Sequence, residues 1–511
     1  MSEPFYVTTP IYYVNDEPHL GHAYTTILAD VLARYARLSG RETFFLTGTD
    51  EHGQKVQQAA EARGISPQAQ ADQMVVRFQT AWQRLEVSND DFIRTTEPRH
   101  VRVVQAILQD LWERGQIYRG EYEGWYCVPD ERFWTEKDLV DGHCPDCGRP
   151  VEQIVEANYF FRMSDYQEWL IGYIDDHPGF IRPDSRRNEV LGFLRQPLGD
   201  LCISRPASRL SWGIPLPFDP DYVTYVWFDA LINYVTAAGY LSDTTRFDRL
   251  WPRAMHLIGK DILTTHCVYW PTMLHAAGLS QPRTILAHGW WITEGAKMSK
   301  SLGNVVRPLD MAEVYGVDAF RYFLLRDMVL GRDADFTPER IDQRYQGDLS
   351  NDLGNLVHRL TNMATRYNAG RIPAPVDPGA DEAALRERCL AAIERTLQTV
   401  EDLSLNEALA EVMEVVGETN RYLERAAPWM QARQGHADRV ATILYTATET
   451  LRLCSILLHP VMPERTAEIW RRLGWQPPAV LGQGLSWGGL QPGAPVVVGP
   501  PLFPREVGQN P

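Results

Sequence analysis

Three things are scarce in this chain. Cysteine is the first, with 7 in 511 residues. Cys202, Cys267, Cys389 and Cys454 stand singly. That scatter excludes a disulfide framework and predicts reduced, buried thiols in a cytoplasmic protein. Long apolar runs are the second. None reaches about 18 residues and no charged-then-apolar leader opens the chain, so neither an export signal nor a membrane span is expected. Positive charge is the third. A net charge of −16 counts against broad electrostatic contact with nucleic acid, which calls for basic surfaces. An RNA-binding protein with this balance must concentrate its cations locally. There is no internal repeat and no low-complexity tail. What remains is an ordinary globular composition, 44% hydrophobic and 23% charged, in a chain long enough for roughly two to four domains.

The first 38 residues carry the clearest pattern. Phe5 to Val14 reads as a strand, and from Ala23 to Leu38 the residues Ile27, Leu28, Val31, Leu32, Tyr35 and Leu38 share one helical face. Between them stands His19-Leu20-Gly21-His22. At a strand-to-helix turn the first backbone N–H groups are unpaired and the dipole favours an anion. Gly21 leaves room for a flat base against the backbone, and the two imidazoles can donate to phosphate oxygens. This reads as a nucleoside triphosphate site, although a surface loop with two histidines has the same letters. A second signature, Lys297-Met298-Ser299-Lys300-Ser301, is flanked by Gly295 and Gly303. Two lysines on a glycine-bounded loop can close on a departing pyrophosphate. A solvated lysine face is the plain alternative.

The rest of the chain supplies a frame. Glu42 to Thr47 reads as a second strand, followed by Gly48-Thr49-Asp50-Glu51-His52-Gly53 and a helix-like stretch, Gln54 to Arg63. Strand, turn and helix repeated describe a parallel α/β sheet with ligands at the carboxyl ends of its strands. That brings Asp50 and His52 towards His19 and His22. Asp50 either holds an α-ammonium group or caps a helix. Residues 117–218 change character and read as an insertion. They contain Cys144-Pro145-Asp146-Cys147, with Cys127 and Asp130 as candidates for a second pair. The set is either an uncommon Cys3Asp zinc site or a knuckle held by packing alone. Trp227, Ala230, Leu231 and Tyr234 share one helical face, and Ile262, His266 and Trp270 share another. Both are either plain core or the walls of a pocket for a thioether side chain. From 351 the pattern is helical. Leu353, Leu356, Val357, Leu360, Ala364 and Tyr367 line one face of the first helix. Asn355, Arg359, Asn362 and Arg366 line the other, as a solvated face or as a stripe that reads unstacked bases.

Taken together, His19-Leu20-Gly21-His22, Gly48 to Gly53, Tyr225-Val226-Trp227-Phe228-Asp229-Ala230, Gly259-Lys260-Asp261, Lys297 to Ser301 and Ala427-Pro428-Trp429 closely resemble the bacterial methionyl-tRNA synthetase family, a class I aminoacyl-tRNA synthetase family, along nearly the full length. The resemblance implies an α/β fold. A Rossmann-like parallel-sheet catalytic domain (1–116 and 219–290) is split by an inserted connective, zinc-knuckle-like domain (117–218). The lysine-signature loop and stem-contact region (291–350) follow, and then an α-helical anticodon-binding domain with its tail (351–511). It implies activation of L-methionine with ATP and Mg2+, and transfer of the methionyl group to the 3′ end of tRNA(Met), including the initiator. It further implies a methionine pocket of Ile11, Tyr13, Asp50, Trp227, Ala230, Tyr234, Ile262, His266 and Trp270. His19, Gly21, His22, Lys297, Ser299 and Lys300 would act on ATP, and Asn355, Arg359 and Trp429 would read the anticodon. Asp130 stands where many members have cysteine, which leaves Zn2+ at Cys127, Asp130, Cys144 and Cys147 open. No oligonucleotide-binding domain follows residue 511, so a monomer is expected. The rival readings are a non-catalytic tRNA-binding paralogue and another class I synthetase for an apolar amino acid. Enzymes for isoleucine, valine or leucine carry a far larger editing insertion. A cysteinyl enzyme needs metal ligands in its pocket, and a small adenylyltransferase needs no helical C-terminal region.

Overall fold

The computed structural model describes residues 3–127, 132–134, 136–145, 147–293, 295–298 and 305–505. Asp130, Ser299 and Lys300 lie outside the described residues, as does the side chain of Lys297.

A seven-stranded parallel sheet organises the first two-thirds of the chain. The strand Phe5–Thr8 sits in its middle, paired on one side with Thr43–Asp50 and on the other with Ala254–Gly259. Asp91–Arg94 extends the first side, and Thr284–His288 and then Ile181–Arg182 extend the second. Tyr12–Tyr13 resumes the pairing along the end of Thr43–Asp50, with Tyr13 opposite Asp50. Phe5–Thr8 and Thr284–His288 are buried at every position, as befits strands covered by helices on both faces. The chain leaves Phe5–Thr8 in one direction and returns to its other edge much later. The switch point, where such sheets bind ligands, therefore lies at the carboxyl ends of the three central strands.

The strand read from Phe5 to Val14 is broken at Thr9-Pro10-Ile11, because Pro10 has no N–H to give to a ladder. The insertion contributes a four-stranded antiparallel sheet whose long hairpin pairs Ile117–Cys127 with Glu152–Phe161. Within 117–218 the chain also crosses back, since Ile181–Arg182 pairs with Thr284–His288.

Beyond residue 354 the structure is helical. Asn355–Tyr367, Ala380–Glu401, Leu405–Ala426, Ala437–Leu458 and Pro463–Arg472 pack through one apolar core, which also takes in the inner face of the Leu20–Leu38 helix. Ala437–Leu458 is long and apolar enough to cross a membrane by length and composition, but it is the buried centre of this bundle. The final stretch folds back along the bundle. Glu449 accepts the N–H groups of Gly488, Gly489 and Leu490, and Arg452 donates to Gly484 and Ser486.

Candidate functional site: a histidine-capped helix beside an aromatic pocket

The helix Leu20–Leu38 begins at the carboxyl end of the central strand, and His19 is its N-cap. The His19 Nδ1 accepts the Gly21 N–H at 3.1 Å, and the His22 Nδ1 accepts the His19 N–H at 3.4 Å. A neutral imidazole that accepts through Nδ1 carries its proton on Nε2. Both rings are therefore set as Nε2–H donors, stacked 3.7 Å apart at the positive end of a helix. Burial and the neighbouring His19 hold the His22 pKa well below its ordinary value. His22 thus meets a ligand as a neutral donor. A side chain at position 21 would put its Cβ 3.0 Å from the His19 ring, so any larger residue there would press on the stacked ring. Tyr12 backs the pair, 4.6 Å from the His22 ring.

Beside this end of the helix lies the aromatic group. Asp50, at the end of its strand, is buried. Tyr13, paired with it in register, meets the Trp227 ring edge-on at 6.3 Å. Ala230, Tyr234, His266 and Trp270 are buried, and Ile11, Trp227 and Ile262 are partly exposed. The hydrogen-bond directions are fixed by elimination. The Ile262 carbonyl can only accept, so His266 Nδ1 donates to it at 3.1 Å. His266 Nε2 then accepts the Tyr234 O–H at 2.8 Å. Burial pushes the His266 pKa down to about 4, which keeps this neutral arrangement across the physiological range. The structure thus brings together the residues singled out from the two aromatic stripes. It differs in backbone, because Thr265–Tyr269 is a π-helical turn and not part of a regular helix. Ile262, His266 and Trp270 are four residues apart, a spacing that drifts by about 40° per step around an α-helix. The wider turn keeps them on one side.

His52 does not join the capping histidines. Its Nδ1 lies 2.6 Å from the buried Asp229 carboxylate, which also meets His100 Nε2 at 2.7 Å. Burial alone would raise the Asp229 pKa, but the attraction of His52 and the hydrogen bond from His100 outweigh it and hold it below the usual range. This His52–Asp229–His100 bridge ties the Trp227 and Ala230 helix to the loop after Asp50. Sequence reading missed the bridge because its members lie far apart along the chain; His52 and Asp229 both stand inside quoted motifs, but nothing in the spacing paired them or pointed to His100. Missed for the same reason was Glu51, which is fully buried and holds Arg94 at 2.7 and 3.0 Å.

On the far side of the switch point, Trp291–Thr293 pairs with Ala296–Lys297, so the backbone of Lys297 lies on a short hairpin next to the end of Thr284–His288. His288, the last residue of that strand, reaches Thr25 of the capped helix at 2.7 Å.

In the insertion, Cys127, Cys144 and Cys147 bring their sulfurs within 4.8 Å of one another, with Cys127 and Cys147 3.5 Å apart. Thiolates around a tetrahedral zinc, with bonds of about 2.3 Å, sit just under 4 Å from each other. The three-sulfur set fits that ion. Gly148, at φ +68°, turns the knuckle so that its N–H reaches the Cys144 carbonyl at 2.8 Å. In the helical region Asn355 is exposed. The Arg359 guanidinium lies 5.8 Å from the Trp429 ring centre and 2.7 Å from Glu424.

The chain matches the family described as "tRNA synthetases class I (M)" over residues 5–156 and 149–361. It also matches the "Anticodon-binding domain of tRNA ligase" over 382–484. It is 45% identical to the methionine–tRNA ligase of Caldanaerobacter subterraneus subsp. tengcongensis, covering 99% of this chain and 79% of that one. It is 44% identical to that of Streptomyces coelicolor, covering 99% and 97%. Among solved structures, Mycobacterium tuberculosis methionyl-tRNA synthetase in complex with methionyl-adenylate superposes with a TM-score of 0.95 at 41% identity, covering 99% of this chain and 100% of that one. The apo form of the same enzyme gives 0.88 at 37% identity, covering 100% and 99%. A capped histidine pair at the switch point, an aromatic pocket beside it, a helical C-terminal region and likeness along the full length thus agree, and the chain belongs to the methionine–tRNA ligases, class I enzymes that use ATP to join methionine to tRNA.

Proposed function

We propose that each step of this activity is carried by the residues singled out above. The observation that bears most weight is the pair of Nε2–H donors at the helix N-terminus, beside a group of aromatic side chains. Asp50 takes the α-ammonium group of methionine. Tyr13, Trp227, Ala230, Tyr234, Ile262, His266 and Trp270, with Ile11, surround its side chain. The methionine carboxylate attacks the α-phosphorus of ATP in line, and pyrophosphate leaves. Such a step needs positioning and charge stabilisation more than a covalent nucleophile. His19 and His22 donate to the phosphates as charge builds, and Gly21 leaves space for the nucleoside. Lys297 and Lys300, with Ser299, close on the leaving pyrophosphate. Mg2+ arrives with ATP as part of the substrate and neutralises phosphate charge. A ribose hydroxyl at the 3′ end of tRNA(Met), initiator included, then attacks the activated carbonyl.

Asn355, Arg359 and Trp429 read the anticodon. Cys127, Cys144 and Cys147 would hold a structural Zn2+, with Asp130 as the candidate for a further ligand. The protein works in the cytoplasm as a monomer, with catalytic halves at 1–116 and 219–290, the insertion at 117–218, the lysine loop and stem-contact region at 291–350, and the anticodon domain from 351.

ATP–pyrophosphate exchange across a panel of amino acids tests the first step. Exchange is expected with methionine and not with isoleucine, valine, leucine or cysteine. Lys300→Ala is expected to slow it by a factor on the order of 10² or more while methionine binding changes little. An unchanged rate would remove the lysine loop from the mechanism.

A further inference from the structure

Behind the aromatic pocket lies a histidine that the steps above do not use. His256 is on the Ala254–Gly259 strand, between Thr8 on one neighbouring strand and Ile285 on the other, and it is fully buried. Aromatic rings surround it. Tyr234 is 4.1 Å away between ring centres, and Trp251 is 5.8 Å away and also 5.9 Å from Trp270. Both ring nitrogens are engaged. The Trp270 Nε1–H points to His256 Nε2 at 3.2 Å, and His256 Nδ1 lies 2.8 Å from the Thr8 Oγ1.

The directions follow without ambiguity. An indole N–H only donates, so His256 Nε2 must accept and carries no proton. The neutral ring therefore bears its proton on Nδ1 and donates it to Thr8. A protonated ring would set two N–H groups against each other at Trp270. Burial, with a further push from His266, keeps the His256 pKa well below its ordinary value, in keeping with that arrangement. Trp270 is buried, and a buried indole N–H left unmade costs its full desolvation. One acceptor thus fixes the plane of the indole, and the same imidazole packs against Tyr234.

We propose that His256 is a positioning residue for methionine recognition, holding the Trp270 indole and the Tyr234 ring in the orientation that forms the pocket wall. This rests on the reading that Trp270 and Tyr234 line the methionine site. His256 touches neither substrate. Its effect is carried through Trp270 and falls on methionine, not on ATP.

The experiment is ATP–pyrophosphate exchange on the full chain, with KM for methionine and KM for ATP measured separately in H256F, H256Q, W270F and H256F/W270F. H256F keeps a ring but offers no acceptor. It is expected to raise the methionine KM by about ten-fold while the ATP KM stays within about two-fold. H256Q, whose amide oxygen can accept the indole N–H, should recover most of the loss. W270F has no N–H to place, so adding H256F to it should change little, in contrast to independent sites, whose effects multiply. Effects that multiply, or equal rises in both KM values, overturn the proposal. If W270F raises the methionine KM and H256F does not, His256 has no such role although the pocket reading stands. If W270F itself leaves the methionine KM unchanged, the pocket reading fails and the proposal falls with it. Should H256F not fold, H256N replaces it. The shorter amide reaches Thr8 but not Trp270, so H256N must show the defect that H256Q lacks.

Discussion

Arg359 is placed under two attractions at once. Its guanidinium is 2.7 Å from the Glu424 carboxylate and 5.8 Å from the centre of the Trp429 ring, and it is only half-buried. A half-exposed ion pair is worth little in itself, so the pair orients Arg359 more than it stabilises the bundle. Trp429 is also half-buried and follows Pro428 at the start of its helix. An indole in that position offers a face on which an unstacked base can rest, a contact worth about 1–3 kcal/mol by alanine substitution. Trp429→Ala is therefore expected to leave ATP–pyrophosphate exchange intact and to weaken tRNA charging by roughly ten- to a hundred-fold in KM for tRNA. An equal fall in exchange would make Trp429 a structural residue. How far this corner was legible from the sequence depends on each residue. Asn355 and Arg359 stood out as a polar stripe opposite an apolar face. Trp429 has no periodicity and came only through resemblance. Glu424 was invisible, because the pairing is made between two helices that the sequence does not align. The same holds in the catalytic half, where His256 and Asp229 act through partners from distant strands and helices.

At the scale of elements, local pattern was legible where burial is one-sided or complete. The Leu20–Leu38 helix and the Gln54–Arg63 helix appear at or near the expected bounds, although the first is buried nearly all round and the second only at Val56 and Ala60. The π-helical turns at Thr265–Tyr269 and Tyr345–Gly354 were not legible. An inserted residue changes hydrogen bonding without changing which residues are apolar, so the Asn351 to Tyr367 pattern hides a helix that is regular only from Asn355. The knuckle lies between these cases. Its Cys-x-x-Cys spacing was plain, and the approach of Cys127 from a strand of the long hairpin was only a guess at pairing. That hairpin forms the middle of the four-stranded sheet, and at its end Cys127 joins Cys144 and Cys147 in a cluster of three sulfurs. Metal bound there would add folding free energy locally. Elemental analysis of untagged protein is expected to find about one zinc per chain. Chelation should then open 117–161 to limited proteolysis while the helical region beyond 380 keeps its thermal transition. Zinc near zero, with a cleavage pattern indifferent to chelator, would mean that packing alone holds the knuckle.

Across the whole molecule the two functional ends are joined by a buried polar hub. Arg321, on the helix Val317–Arg326, is fully buried. It donates to Asp30 of the histidine-capped helix at 2.5 Å, to the Leu85 carbonyl at 2.9 Å, and to the Pro460 and Val461 carbonyls of the helical region at 3.1 and 2.9 Å. One turn earlier, Asp318 accepts the Arg465 N–H at 2.6 Å, and its second oxygen is buried without a hydrogen bond. The groups facing Asp318 are Glu86 from the catalytic side, Glu464 and Arg465 from the helical side, and Arg321 between them. Burial pushes the Asp318 pKa from the ordinary 3.8 up to about 7, against the pull of Arg321 and Arg465. Burial, a hydrogen bond shared with Glu464 and the charge of Asp318 push Glu86 up to about 8. Both groups hold a proton in the folded chain at pH values where the unfolded chain has lost it. Their contribution is therefore complete below the unfolded pKa and declines as pH rises, until ionisation is forced near pH 7 to 8. For the nearly fully buried Asp318, the whole swing is on the order of 4 kcal/mol. Asp318→Asn keeps an acceptor for the Arg465 N–H and never ionises. Its gain in urea midpoint over the unsubstituted chain should already be present at about pH 5 and be clearly larger at about pH 8.5. Parallel profiles would show that Asp318 does not take up a proton on folding. A gain that grows from mildly acidic pH and levels off above about pH 7 would identify the seam between the catalytic and helical parts as a place where rising pH weakens the fold.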